Sequence, residues 1–262
     1  MHEFGVRNMK ITFLGTGTSQ GVPVIGCECA VCLSSDSRDK RLRTSVLIEI
    51  GEKSIVVDSG PDFRYQMLRE GVKTLDAIVF THEHKDHVAG LDDVRAYNYW
   101  QKKPMDIYAN EAVEFALRRV FHYAFDLKAQ GGVPQLNIHR IDRSEFELGG
   151  EKWLPIPVMH AEMEVLGFRI GDFAYVTDVN FISEESFKKL NGIKVLVISA
   201  LRNFEHRSHY SLSEVLEVIE RLKPQASYLT HMSHLIGMHE ELEGELPENV
   251  YPAFDGLQII GE

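Results

Sequence analysis

Thr81-His82-Glu83-His84-Lys85-Asp86-His87 is the stretch that decides the fold of this chain, because four metal-competent side chains crowd into six residues as H-x-H-x-D-H. Such a set cannot pack into a core without partners, since buried imidazoles and carboxylates demand hydrogen bonds or ligation. Imidazole mixed with carboxylate suits Zn, Mn or Fe in the divalent state. The cluster begins where the apolar run Leu75 to Thr81 stops. A change from strand to loop lets the four side chains converge, which a straight strand forbids because its successive residues face opposite ways. A solvated loop with Asp86 capping the next helix would explain each histidine singly, but not the whole pattern.

Working outward, three more residues stand where strands are expected to finish. His160 follows Trp153 to Met159, Asp178 ends the apolar run Phe173 to Thr177, and His231 follows Tyr228 to Thr230. All can therefore gather along one sheet edge. Around them, Ile11 to Leu14 reads as a strand, and Ser45 to Ile50 with Lys53 to Asp58 as a hairpin turning at Gly51-Glu52. Met105 to Ala109, Val195 to Ser199 and Ser227 to Thr230 read as strands, the last of these closing the series. Helices are expected over Pro61 to Arg69, Val88 to Trp100, Glu111 to Phe125 and Ser183 to Leu190. Ser211-x-x-Glu214 is a capping box opening a helix that ends near Leu222. Met1 to Asn8 reads as an extension ahead of the first strand. Hairpins followed by β-α alternation in both halves imply an α/β chain of two mixed sheets with helices outside, one domain over 1–262.

All three cysteines fall in Cys27-Glu28-Cys29-Ala30-Val31-Cys32. An odd number so close together is a poor disulfide framework. Thiolates at C-x-C-x-x-C spacing can share one tetrahedral zinc, which needs a fourth ligand. His234, three residues beyond His231, is the candidate.

Acids outnumber bases 39 to 28, for a net charge of -11. Binding a long polyanion by its backbone needs a Lys/Arg stripe, and the largest basic cluster, Arg38 to Arg43, is short and interrupted. Long nucleic acid and anionic membrane are thus disfavoured partners, while a small anion held by a metal pair is allowed. No apolar run approaches the ~20 residues of a membrane span, and no signal peptide is read, so the cytoplasm is the expected compartment, where thiols stay reduced.

Across essentially its whole length the chain resembles the metallo-β-lactamase superfamily, an α/β fold built as an αββα sandwich of two mixed β-sheets flanked by helices. By that resemblance His82, His84 and His160 hold one divalent ion, Asp86, His87 and His231 a second, and Asp178 bridges the two. Asp58, in Val57-Asp58-Ser59-Gly60, matches the superfamily's acid after an early strand and is expected to orient a ligand imidazole through its N–H. Two divalent ions, Zn or Mn, outweigh Asp86, Asp178 and a bridging hydroxide in charge, which leaves a positive centre suited to a phosphodiester. Metals about 4 Å apart activate such a hydroxide and clamp the attacking and leaving oxygens.

The cysteine segment, preceded by Gly-Thr-Ser-Gln-Gly-Val-Pro (Gly17 to Pro23), is similar to the phosphoribosyl cyclic phosphodiesterases of bacterial phosphonate breakdown, a ribonuclease Z-like branch. So is the closing Phe254-Asp255-Gly256. In that family the matching Cys-x-Cys-x-x-Cys and His hold a structural zinc, which assigns Cys27, Cys29, Cys32 and His234. The family's proton donor falls on His209, with His206 close enough to compete for the role. Asp86 gains a second task, orienting the hydroxide. The implied substrate is a small cyclic or linear phosphodiester, and a homodimer is compatible with it.

Other classes fit less of the pattern. Glyoxalase II-type thioesterases keep similar ligands but usually lack the cysteine segment. Zinc lactamases place a cysteine at the second metal, and none follows Cys32. Flavodiiron proteins put an acid where His84 stands. The pyrroloquinoline quinone biosynthesis proteins share the cysteines and an echo of Ser59-Gly-Pro-Asp62, but depart from the full dinuclear set. Gly15 to Gly21 is read as a plain turn rather than a phosphate cradle, Phe121, Tyr123 and Phe125 as candidate substrate flanks, and Gly131-Gly132 as a candidate lid hinge.

Overall fold

Alternation along the strands accounts for the layering of this computed structural model, which describes residues 3–4, 9–126 and 132–261. In Ser45–Ile50, Val46, Ile48 and Ile50 turn one way and Leu47 the other. In Val195–Ser199, Val197 joins the same inner layer as Ile48, while Leu196 and Ile198 face away. Period-two sorting with apolar side chains on both faces requires each sheet to be covered on both sides.

In chain order the strands are β1 (Glu3–Phe4), β2 (Met9–Gly15), β3 (Ser45–Ile50), β4 (Lys53–Val57), β5 (Ala77–Val79), β6 (Met105–Ala109) and β7 (Leu136–Arg140). Then come β8 (Phe146–Leu148), β9 (Glu151–His160), β10 (Met163–Ile170), β11 (Phe173–Val176), β12 (Phe181–Ile182), β13 (Val195–Ser199), β14 (Ala226–Thr230), β15 (Val250–Pro252) and β16 (Gln258–Gly261). One sheet runs β1-β16-β2-β3-β4-β5-β6-β7, the other β12-β9-β10-β11-β13-β14-β15, with β8 paired to β9. Both are mixed: β2, β3 and β4 are antiparallel neighbours and β4 to β7 parallel. Likewise β9, β10 and β11 are antiparallel, whereas β11, β13, β14 and β15 are parallel.

Between the sheets lie Phe13, Ile55, Trp153, Phe168, Tyr175 and Tyr228, none more than 2% exposed. Fully burying a side chain such as Phe13 contributes roughly 1.5–3 kcal/mol. Helices Phe63–Arg69, Arg95–Gln101 and Glu111–Val120 cover the first sheet through Phe63, Tyr97 and Leu117. Helices Glu184–Leu190, Leu212–Leu222 and His239–Glu245 cover the second through Leu190, Val215 and Leu242. The result is the expected αββα sandwich. No helix among the described residues is long and apolar enough to cross a membrane.

Several boundaries differ from the sequence reading. The helix expected over Val88 to Trp100 is three pieces: Lys85–Val88, a 3-10 turn Leu91–Val94, and Arg95–Gln101. The break falls at Gly90, whose N–H donates to the Ser59 carbonyl at 2.8 Å. A Cβ at Gly90 would stand 2.1 Å from the Gly60 carbonyl oxygen, so the chain must bend there without a side chain. The helix from Glu111 stops at Val120, and His122–Phe125 is a short 3-10 turn. Thr230 does not close the strand series, since β15 and β16 follow it. Glu3–Phe4 pairs with β16 rather than trailing as an extension. The rest of Met1 to Asn8, and Gly131 of the candidate hinge, lie outside the described residues.

Candidate metal centre

Strands deliver the site at their carboxyl ends, mostly parallel ones, where open α/β sheets present ligand-binding loops. Asp58 follows β4, His82 lies just beyond β5, His160 ends β9, Asp178 lies just beyond β11, and His231 follows β14. At four of these ends the backbone turns left-handed: Asp58 (φ 64°), Ala161 (φ 54°), Asp178 (φ 53°) and His231 (φ 54°). Holding a residue other than glycine there costs on the order of 1–3 kcal/mol, and such strain collects at functional sites. Behind the cluster, a Cβ on Gly60 would sit 2.0 Å from the Asp86 carbonyl oxygen, so only glycine lets these two loops touch.

Asp178 is the centre of the arrangement. Its Oδ1 lies 3.3 Å from His87 Nε2 and its Oδ2 lies 3.3 Å from His231 Nε2. His82 Nε2 and His209 Nδ1 each lie 3.9 Å from Oδ2. Asp86 Oδ2 is 3.2 Å from His87 Nε2 and 3.6 Å from His231 Nε2. Three overlapping donor sets result: Asp86, His87, Asp178 and His231; His82, His84 and Asp178; and His160, Asp178 and His209. The His160 ring lies 5.2 Å from that of His84, 5.9 Å from that of His82 and 4.4 Å from that of His209.

Hydrogen bonds behind the cluster fix which nitrogen faces inward. His87 Nδ1–H donates to Asp58 Oδ2 at 2.7 Å. Thr81 donates its hydroxyl to the same carboxylate at 2.8 Å, so His82 Nδ1–H donates to Thr81 Oγ1 at 2.9 Å. His160 Nδ1–H donates to the Ser208 carbonyl at 2.7 Å. Asp58 thus orients one imidazole directly and a second through Thr81. The inward atoms His82 Nε2, His87 Nε2 and His231 Nε2, with His209 Nδ1, are buried and have no hydrogen-bond partner. Orphaned imidazole nitrogens aimed at two carboxylates are the donor chemistry of a transition-metal site, so divalent ions fit here.

The electrostatics agree. Burial opposes ionising Asp178, but the His231 and His87 imidazoles outweigh it and hold the carboxyl well below its usual range. Burial likewise works against Asp86, which His87 and His231 still hold low. Burial drives His82 well down, and with the His231 charge it pushes His209 to about 3. His87 is the exception: burial disfavours its charge, yet Asp178, Asp58 and Asp86 around it raise it well above the usual value. Ionised Asp86 and Asp178 beside a neutral His82 are the states a divalent cation requires, and His87 shows how strongly the three carboxylates draw positive charge to this point.

A second donor set lies apart. Cys27 Sγ and Cys29 Sγ are 3.3 Å, and Cys32 Sγ 3.5 Å, from one atom, His234 Nδ1. The Cys32 backbone N–H, then His234, pull the Cys29 thiol down to about 6, while burial pushes Cys32 up to about 11. The four donors suit a tetrahedral zinc. The segment joining the two sites is pinned on both sides: Met232 N–H donates to Thr16 O at 2.9 Å, and Ser233 N–H to Leu201 O at 2.9 Å.

All the residues expected as ligands are thus brought into one or other group, His209 shares a donor set with His160 and Asp178, and Asp58 lies behind. His206 lies behind His209, ring to ring at 5.3 Å, and its Nδ1 accepts from Ser208 N–H at 3.3 Å. The proposed aromatic flank is taken up in packing: Phe121 is core, and Tyr123 and Phe125 pack against it over the first sheet. Arg41, inside the basic cluster, is 3% exposed and donates to the Ala253 carbonyl at 2.6 Å, so it braces the fold. Gly15 to Gly21 is a turn held by Asp255, which accepts from Thr16 N–H at 2.9 Å. The sequence reading missed Thr81, Ser208 and Gly60. Only Thr81 carried a signal, a hydroxyl directly before a ligand histidine.

The beta-lactamase superfamily domain model matches residues 53–232. A solved diphosphatase of the PhnP family is 43% identical, with 96% of each chain covered and a TM-score of 0.90. An octanoyltransferase of Porphyromonas gingivalis is 38% identical over 256 residues, 96% of this chain, and the chain spans about half of that relative's length, 51%. Zn(2+)-bound PqqB from Methylobacterium extorquens shares the fold at a TM-score of 0.76 and 18% identity, over 96% of this chain and 99% of that one. With histidines and aspartates meeting at the ends of two facing sheets and a family model spanning most of that framework, the chain belongs to the metallo-β-lactamase superfamily.

Proposed function

We propose that this chain hydrolyses small phosphodiesters at a two-ion centre. The carrying observation is the position of Asp178 in three overlapping donor sets, a number of ligands that one ion does not use. His82, His84 and His160 would hold one divalent ion and Asp86, His87 and His231 the other, with Asp178 between. Ions so bound, Zn or Mn, would lower the pKa of an attacking water and offset the charge on the phosphate.

The remaining work falls to side chains. Asp58 holds the His87 ring and, through Thr81, the His82 ring, so neither needs to reorient during the reaction. Asp86, less buried than the other carboxylates, aligns the water. His209 gives a proton to the departing oxygen. Burial, then His231, hold it down to about 3, and the negative charge of a bound phosphate would favour its protonated form. Cys27, Cys29, Cys32 and His234 would hold a structural zinc.

Turnover of bis(p-nitrophenyl) phosphate and of a thioester, each with added Mn or Zn, tests the reading. Release of p-nitrophenolate without thioester cleavage is expected, and cleavage of the thioester alone overturns it. A second reading, cleavage of a diphosphate, is favoured by the likeness to the 43%-identical diphosphatase of the PhnP family. Phosphate release from a nucleoside diphosphate in the same assay separates the two.

A further inference from the structure

A groove of about 1080 Å³ lies beside the metal cluster. At the upper end of the roughly 300–1,000 Å³ typical of small-molecule sites, it has room for a substrate's non-reacting portion. It adjoins the centre through the chain itself. Glu83, on its wall, stands between His82 and His84, and Met163 is the register partner of His160 across β9 and β10. Leu166, also on the wall, donates its N–H to the Thr81 carbonyl at 3.1 Å.

The chemistry of this groove is distinctive. Arg140 and Arg143 line it, but each is already committed: Arg140 to Glu111 at 3.0 Å and Glu114 at 2.9 Å, and Arg143 to Glu164. Glu83, Glu111, Asp142 and Glu164 against those two arginines leave the lining at -2. A second phosphate on the substrate would meet repulsion there, because neither lining arginine is free to receive it. What the groove does offer is a ring. Phe115, on helix Glu111–Val120, faces it and is 69% exposed, with the Arg119 guanidinium as a ring neighbour 6.0 Å away. Met163 and Ile141 add apolar surface, while Ser144 adds hydroxyl hydrogen-bonding capacity. An exposed phenyl ring among ion-paired polar groups suits a flat, uncharged group with hydrogen-bonding edges, and base-on-aromatic stacking is tolerant of sequence.

Resting on the phosphodiester reading, we propose that this groove binds the nucleobase of a nucleoside phosphodiester by stacking on Phe115, and that it selects such substrates over those whose distal group is a phosphate.

Two esters with the same leaving group test it: thymidine 5′-(p-nitrophenyl phosphate) and methyl p-nitrophenyl phosphate, with Mn or Zn present. In both, water attacks phosphorus, the P–O(aryl) bond breaks and p-nitrophenolate leaves, so only grip on the retained alcohol differs. The thymidine ester should be preferred in kcat/KM, and Phe115→Ala should cut that preference roughly tenfold or more, through KM rather than kcat. Tyr65→Ala, an exposed aromatic on a different helix, should leave the preference unchanged. A 3′-phosphate on the nucleoside should bring no gain, and a tenfold gain from it would overturn the neutral-group assignment. Equal use of both esters by the unmodified protein, or a preference untouched by Phe115→Ala, overturns the groove inference and leaves the phosphodiester reading standing. Turnover of neither ester overturns the reading beneath it.

Discussion

The two donor groups of this chain are built on opposite plans. The cysteine group is local: three sulfurs within six residues, all 3.3–3.5 Å from one histidine nitrogen. Four donors about one point complete a tetrahedron and leave no position for a substrate. The histidine–aspartate cluster is assembled from strand ends between positions 82 and 231, with its rings locked from behind and several nitrogens left without partners. Its donor sets overlap at Asp178 instead of closing, which leaves room at the surface of the cluster. A closed site stabilises its surroundings, whereas an open one, with its geometry imposed by the whole fold, has room for chemistry.

Four variants break or sharpen that contrast. Asp178→Ala removes the carboxylate common to the overlapping sets, so phosphodiesterase activity should fall by about four orders of magnitude, the scale reached when a group acting as part of a unit is removed. Metal analysis of the same variant should show the cluster's ions lost and one ion kept by the cysteines. Activity above a tenth of the original would show that the sets do not depend on their shared member.

His209→Ala should lower kcat roughly 10²- to 10⁴-fold, the usual contribution of a positioned general acid, with metal content unchanged. His206→Ala, whose ring lies outside the donor sets, should change kcat no more than about threefold, the scatter allowed to residues without a reacting contact. A reversed pair of results would hand the proton-donor role to His206.

The mildest effect on turnover is expected at the closed site. Cys29→Ser should lose one bound ion and lower Tm by roughly 5–10 °C, the shift about 3 kcal/mol produces in a chain of this size. Activity of the metal-loaded variant, measured well below that Tm, should stay within about threefold. A collapse of activity in a folded, metal-loaded protein would erase the division between the two plans.

Much of the cluster was legible because ligands need particular atoms at particular strand ends. His82 to His87 announced themselves by spacing, and Asp178 and His231 by ending apolar runs. The cysteine group was legible for the opposite reason, being local. What escaped was whatever depends on two distant segments touching. Gly60 and Gly90 are required by the approach of one loop to another, and the expected helix from Val88 breaks for the same cause. The Thr81 hydroxyl matters only because Asp58 arrives from another strand. The aromatic trio at Phe121 reads as a substrate flank or as core with equal ease, since an aromatic side chain does not record which side of a sheet it will cover. The groove at Phe115 is formed by loops after three different strands and has no signature in any one of them.

The three-residue step from His231 to His234 would make neighbours of ions held at the two donor groups. Met232 and Ser233, fastened to Thr16 and Leu201, leave the intervening backbone little freedom to swing. An ion captured by the sulfurs would therefore narrow the search His231 must make, and thermodynamic reciprocity would make the reverse help equally large. Loading of this protein with metal is in that sense a conversation between two ends of a single tight turn.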